Sequence, residues 1–240
     1  MHNSSPIYRR ILLKLSGEAL MGQQNFGIAP DILENLAAQI GELKATGVEL
    51  GIVIGAGNFL RGASIASFST RQVAADHMGM LATVMNSIAL NEALLAQNTD
   101  STIMSAVTIP GMAQGFSYTE AIEKLTNGQV VIFAGGTGNP FFTTDTAACL
   151  RGIEIGADVV FKATKVDGVY DKDPAKFADA RFYSKLDYAS ILAQNLAVMD
   201  MTAIILCQQY SMPLRVFNML SANNLSQAAL SEEIGTLITG

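Results

Sequence analysis

The chain has 240 residues, 50% of them hydrophobic and only 15% charged, against roughly 25% charged in an average soluble domain, so disorder is excluded and a sizeable buried core is expected. A formal charge of −6, from 15 Lys+Arg against 21 Asp+Glu, removes any global positive field for nucleic acid or an anionic membrane surface. Two distant cysteines, Cys149 and Cys207, argue against a disulfide framework or a zinc site, and no signal-like or roughly 20-residue apolar run is read, so a cytoplasmic protein is expected.

Arg10 to Leu15 reads as a buried strand with Lys14 near its carboxyl end, closed by Ser16-Gly17. An amphipathic helix follows over Asp31 to Thr46, with Ile32, Leu33, Leu36, Ile40 and Leu43 on one stripe. Val48 to Ile54 is a second strand running into Gly55-Ala-Gly-Asn58. From about Arg71 to Asn98 a long helix carries apolar residues most of the way round, which predicts burial on more than one side. Strands recur at Ser101 to Val107, Gln129 to Ala134, Ala157 to Ala163 and Leu214 to Phe217, between helices at Tyr118 to Thr126, Asp145 to Glu154 and roughly Tyr188 to Gln209. This alternation predicts an α/β fold, a three-layer αβα sandwich with a mostly parallel central sheet, whose ligands gather at the strands' carboxyl ends. No linker is apparent, so residues 1–240 read as one domain with residues 1–7 as a flexible tail.

Three glycine-containing loops each follow a predicted strand: Lys14 to Gly17, Gly55 to Gly62, and Gly135 to Pro140. Glycine lets backbone N–H groups converge on an anion, and Lys14 and Arg61 favour phosphate binding over plain turn chemistry. Neither common nucleotide fingerprint fits, because Leu60 stands where G-x-G-x-x-G needs glycine and no G-x-x-x-x-G-K-[ST] occurs. A dinucleotide-dependent redox enzyme is the runner-up from these loops. Lys162 and Lys165 flank the end of another strand; each could snorkel to the surface, but at a sheet's ligand crevice a polyphosphate is the better partner. Asp145 heads a helix, where capping is the bland role, and Asp200 among apolar neighbours reads as a buried carboxylate paired with lysine. Asp171 to Pro174 reads as a solvated turn, and His77 as a core or interface histidine.

Together, Lys14-Leu-Ser-Gly-Glu-Ala-Leu20, Gly57-Asn-x-x-Arg-Gly62, Ala75-Asp-His-Met-Gly-Met-Leu81, Gly136-Thr-Gly-Asn-Pro-Phe-Phe-Thr-Thr-Asp145, Lys162-Ala-Thr-Lys-Val-Asp-Gly168 and Arg215-Val-Phe-Asn218 resemble the bacterial uridylate kinases, from about Tyr8 to Ile238. The resemblance implies the amino-acid-kinase fold, a homohexamer, and transfer of the γ-phosphoryl group of Mg-ATP to UMP in pyrimidine biosynthesis. It places ATP phosphates at Lys14, Leu15, Ser16, Gly17, Gly57 and Arg61, and adenosine near Thr164, Tyr170 and Asp173. UMP is placed against Ala56, Asp76 and the loop Thr137, Gly138, Asn139, Pro140, Phe141, Phe142, Thr143 and Thr144, with Asp76 suited to the ribose hydroxyls because a carboxylate accepts two O–H donors.

The acceptor is a phosphate oxygen whose second pKa is about 6, already ionised at neutral pH, so the implied mechanism needs no general base, only in-line positioning and charge neutralisation. Lys14, Arg61 and Lys162 or Lys165 are then the cations at the transferred group. Asp145 and Asp200 orient lysines and water, and Mg²⁺ comes with ATP rather than at a protein metal site. Ala56 stands where many members have glycine, a departure that touches fine geometry. The resemblance also implies UTP inhibition and, in many members, GTP activation through a loop similar to Gly22, Gln23, Gln24, Asn25, Phe26 and Gly27. Leu90 to Val131, however, contains one positive residue, Lys124, which weakens the case for a GTP site. Competing readings are a kinase of the same fold acting on a carboxylate or carbamate, and a storage or sensory protein that binds nucleotide without turnover.

Overall fold

The computed structural model describes residues 6–60, 71–219 and 223–240. Strands β1 (Arg10–Leu15), β2 (Glu49–Ile54), β3 (Ser101–Ser105), β4 (Gln114–Gly115), β5 (Val130–Ala134), β6 (Val159–Thr164), β9 (Lys185–Asp187), β10 (Leu214–Asn218) and β11 (Thr236–Thr239) form one sheet. Their order is β4-β3-β5-β2-β1-β6-β10-β11-β9. Every pairing in it is parallel except β10 with β11. Two short strands, β7 (Val169–Tyr170) and β8 (Phe182–Tyr183), form a separate antiparallel ribbon.

A parallel sheet must be covered on both faces, and the strand residues divide by parity to do so. Ile11, Leu13 and Leu15 of β1 pack with Ile52 and Phe161 beneath α1 (Pro30–Ala45), α2 (Gln72–Ala96) and α7 (Asn224–Leu230). Leu12, Val53 and Val160 face the opposite side. There they meet α3 (Tyr118–Thr126), α4 (Thr144–Glu154), α5 (Tyr188–Gln194) and α6 (Met201–Gln209). This is the αβα sandwich expected from the strand–helix alternation.

Two expectations need correction. The helix anticipated from Tyr188 to Gln209 is two helices. Asn195, at φ 51°, ends α5 in the left-handed conformation that Asn tolerates, and Asp200 starts α6 by accepting the Ala203 N–H at 3.0 Å. The long helix α2 is long and apolar enough to cross a bilayer by composition, yet it lies along the sheet with only one side covered. Met80, Val84, Leu90 and Leu94 are buried, while Met78, Leu81 and Met85 are about half exposed along with His77. His77 is therefore not a core histidine. Residues 1–5 of the anticipated tail lie outside the described residues; Ile7 donates its N–H to Ala229 O at 2.9 Å.

Helix α4 approaches the sheet closely because Gly152 lacks a side chain: a Cβ there would sit 2.8 Å from Val160 Cγ2. Gly152→Ala would gain roughly 0.8–1.0 kcal/mol of helix propensity but overpack the α4–β6 contact at a typical cost of about 1–3 kcal/mol. The expected net result is a lower urea midpoint with an unchanged m-value; a midpoint above wild type would refute the close-packing account.

Candidate active site

Register places the two central lysines. Lys14 of β1 is the direct lateral partner of Lys162 of β6, and both share the parity of Leu12 and Val160, which face α4. Two ammonium groups side by side at the carboxyl ends of parallel strands repel each other unless an anion separates them. Asp145 does so: Oδ1 lies 2.6 Å from Lys14 Nζ and Oδ2 lies 2.7 Å from Lys162 Nζ. Burial alone would raise the Asp145 carboxyl pKa, but the charges of Lys14 and Lys162 outweigh it and hold the group below the usual carboxylate range. Burial likewise lowers the Lys162 pKa, with Asp145 opposing that shift and Lys14 adding to it.

Asp145 is free for this work because it is not the helix cap. Thr143 caps α4, its Oγ1 accepting from the N–H groups of Asp145 at 3.0 Å and Thr146 at 3.4 Å. Asp200 departs from the expectation of a lysine pair. Its carboxylate instead accepts from the hydroxyls of Thr143 and Thr146 and from the Ala203 N–H, so it orients the α4 start through hydroxyls. Lys162 Nζ also donates to Val198 O, in the turn between α5 and α6. That carbonyl had no sequence signal beyond the Asn195 and Asp200 that break the helix.

The first two glycine loops touch. A Cβ on Gly17 would lie 2.4 Å from Gly55 O and 2.7 Å from Gly57 N, so Gly17 is needed for the loops to meet. Ser16 caps the short 3-10 helix Gly17–Met21, accepting from Glu18 N. Leu15 is fully buried and offers only backbone here, its carbonyl accepting from Gly55 N at 2.8 Å. Beneath the loops, Asn86 Nδ2 of α2 donates to Gly55 O, and the Asn86 and Asn58 side chains exchange hydrogen bonds at 2.8 Å. Thr83 Oγ1, one turn earlier on α2, accepts from Gly135 N at 2.9 Å. Thr83 and Asn86 belong to no motif; their one signal in the sequence is polarity inside a helix otherwise apolar around its circumference.

A cavity of about 260 Å³ opens between the second and third loops, lined by Ala56, Gly57, Asp76, Thr137, Asn139 and Thr144 among others. Ala56 does not have positive φ, so its methyl group sits there without backbone strain. Asp76 accepts from Phe141 N at 2.7 Å and from Gln72 Nε2 at 2.8 Å, which ties the third loop to α2. Phe141 has φ 71°, an unusual conformation for a bulky residue, and its ring is largely exposed while Phe142 and Thr143 line the cavity. Gly138 and Pro140 belong to the loop but not to the lining.

On the other side of the lysines lies a cleft of about 670 Å³, reached by Lys14, Ser16, Lys162, Thr164 and Lys165. Lys165 is exposed and 3.7 Å from Glu18, unlike the partly buried Lys162. Tyr170 and Asp173 do not line this cleft: Tyr170 packs edge-on to Phe182 at 5.4 Å, and Asp173 accepts from Ala175 N and pairs with Lys176. Gly22 borders the cleft, and at the far end of its loop Gly27 exchanges hydrogen bonds with Asn58 while Phe26 packs on Phe59. Gln23, Gln24 and Asn25 are exposed between them. Arg61 lies outside the described residues.

The site therefore brings together a lysine–carboxylate–lysine bridge, three glycine loops and two cavities. The amino acid kinase family profile matches residues 9–218. The chain is 54% identical to a uridylate kinase of Actinobacillus pleuropneumoniae over 98% of its own length and 100% of that protein's, and 54% identical to one from Legionella pneumophila over 99% and 97%. The crystal structure of a UMP kinase from Bacillus anthracis superposes with a TM-score of 0.94 at 37% identity, covering 97% of this chain and 96% of that one. One from Ureaplasma parvum superposes at 0.91 and 33%, covering 97% and 99%. By sequence and by fold the chain belongs to the amino acid kinase family, among its uridylate kinases.

Proposed function

We propose that this enzyme transfers the γ-phosphoryl group of ATP to UMP, giving ADP and UDP. The observation that carries the reading is the Lys14–Asp145–Lys162 bridge, whose two lysines line the larger cavity and whose carboxylate directly follows Thr143 and Thr144 of the smaller one. UMP occupies the smaller one, its ribose at Asp76 and its base and phosphate against the 137–144 loop and Ala56. The ATP polyphosphate lies along Ser16, Gly17, Gly57 and the lysines, with Thr164 on the adenosine side and Arg61 adding a further cation.

Each ammonium group has three N–H donors. Lys14 spends one on Asp145, and Lys162 spends one on Asp145 and one on Val198 O, so both retain donors for the equatorial oxygens of the group in transfer. Asp145 keeps them apart and aimed, which supplies the preorganised positive charge that this chemistry requires. The UMP phosphate enters as an ionised nucleophile, so no residue is assigned as general base. Both Asp145 oxygens face ammonium groups and Asp200 faces hydroxyls. Among the described residues no three His, Cys, Asp or Glu side chains group as metal ligands; this donor set does not fit a protein-held Mg²⁺, and Mg²⁺ is assigned to the ATP complex.

The exposed face of α2 supports assembly as a homo-oligomer, a hexamer in keeping with the resemblance. Met78, Leu81 and Met85 recur at three- and four-residue spacing and would be covered by a second subunit. The protein is assigned to the cytoplasm, with UTP as an inhibitor that shares the uridine pocket. The acidic residues Asp100, Glu120 and Glu123 with the single Lys124 around a surface cavity speak against a GTP-activating site there.

A coupled assay with UMP, CMP, dUMP and carbamate should show UMP strongly preferred, and CMP serving equally well would overturn the acceptor assignment. In the same assay Lys14→Met should lower kcat by two orders of magnitude or more while KM for UMP changes little. Asp145→Asn removes the charge that opposes desolvation of Lys162, so the Lys162 pKa should fall further. Its ammonium form is then lost at lower pH, and the alkaline limb of the residual kcat/KM profile should move down in pH; a limb moving up would contradict the bridge. Leu81→Glu with Met85→Glu should reduce the sedimentation coefficient from that of an oligomer toward that of a 25.4 kDa chain, with the far-UV spectrum retained.

A further inference from the structure

A glycine in the interior of a helix costs conformational entropy that alanine would not, so each one calls for a reason. Packing supplies it for Gly41 of α1 and Gly152 of α4, where a Cβ would sit 3.1 Å from Thr99 Oγ1 and 2.8 Å from Val160 Cγ2. Gly79, well inside α2, is different. A Cβ there would meet no described atom within 4 Å beyond its own stretch of helix, and its φ is not positive. Neither a packed neighbour nor a turn among the described residues requires glycine. What lies beside it is the smaller cavity, which α2 lines with Ala75, Asp76, Gly79, Met80 and Thr83, a stripe at three- and four-residue spacing with Gly79 at its centre. The exposed Met78, Leu81 and Met85 point to another side of the helix. Asp76 apart, the stripe offers the cavity little polarity, because Thr83 spends its hydroxyl on Met80 O at 2.6 Å and on Gly135 N at 2.9 Å.

Resting on the acceptor reading given above and deepening it, we propose that Gly79 is a specificity-determining contact: the pyrimidine ring of the acceptor nucleotide lies flat on the bare backbone of α2 at this residue. Asp76 stands about 4.5 Å earlier along the helix axis, three residues at 1.5 Å each. A ribose held there sets its base over Gly79 while its phosphate extends to Thr143 and Thr144, next to the Asp145 bridge. Met80 and Phe142 flank the ring. A surface of bare backbone and apolar side chains suits the face of a base, which leaves the ring's hydrogen-bonding edge to the amides of the third glycine loop. The missing Cβ is what allows close approach of helix and ring, so a methyl group at this position would occupy the space that the base takes.

Gly79→Ala separates a ligand contact from a structural role, because stability and binding should move in opposite directions. Helix propensity rises and no described neighbour is met, so the urea midpoint should increase. Calorimetric titration of the full chain with UMP should show binding weakened by about tenfold or more, the scale of an overpacked contact, while the affinity for ADP stays at the wild-type value. In the coupled assay KM for UMP should rise by a similar factor and kcat at saturating UMP should change far less. Gly79→Val, with a larger side chain, should weaken UMP further. Wild-type affinity for UMP in Gly79→Ala, equal weakening of UMP and ADP, or a lowered urea midpoint would overturn the proposal. A wild-type chain that binds ADP yet neither binds nor phosphorylates UMP would sink the acceptor reading itself and the proposal with it, a failure distinct from any seen only in the Gly79 variants.

Discussion

The active end of this molecule depends on one carboxylate held between two lysines. Parallel pairing of β1 with β6 makes Lys14 and Lys162 lateral neighbours, an arrangement that would push the strand ends apart without a counter-ion. Asp145 can serve only if α4 begins at the right height above the sheet, and Thr143, Asp200 and Gly152 set that height through a cap, a hydroxyl pair and a close approach. Removing one member of such a buried set typically costs about 3–5 kcal/mol because the remaining charges stay desolvated and unpaired. The α5–α6 turn belongs to the same unit, since it delivers both the Val198 carbonyl to Lys162 and the Asp200 carboxylate to the threonines.

Helix α2 holds the other half of the site. Its covered side combines core residues such as Val84 and Leu90 with Thr83 and Asn86, whose polar atoms bind the backbone of the second and third glycine loops. Two loops that would otherwise be mobile connections are therefore fixed to a rigid element, which is what a site that works by positioning requires. The same helix supplies Asp76 to the third loop. Asp76, which lines the smaller cavity, and the exposed Met78, Leu81 and Met85 lie within three turns of the same helix.

The low charge of the chain acquires a structural meaning from this arrangement. Few cations are present, and the buried Lys14 and the partly buried Lys162 both line the larger cavity, where a low local dielectric strengthens their pairing with Asp145. Phe141 in a left-handed conformation, tied by its N–H to Asp76, adds a strained backbone position beside the smaller cavity, of the kind that persists only where surrounding structure enforces it.

Periodicity and turn residues located six strands and four helices of the core, because strand alternation and helical stripes are local properties of the chain. The three glycine loops, Lys14, Lys162 and Asp145 were legible for the same reason, each being a residue type whose placement at a strand or helix end has few explanations. What could not be read was which groups meet. Asp200 looked like the lysine partner from its apolar neighbours, yet register and the height of α4 gave that place to Asp145. The break at Asn195, the buried Thr83 and Asn86 of α2 and the exposed side of that helix all depend on packing between segments far apart in sequence. The sequence by itself determined the layered α/β architecture and the set of cations and carboxylates available for chemistry. Only the tertiary structure decided their pairing, because an ion pair is fixed by a separation of a few ångströms across strands and helices, a quantity no local pattern encodes.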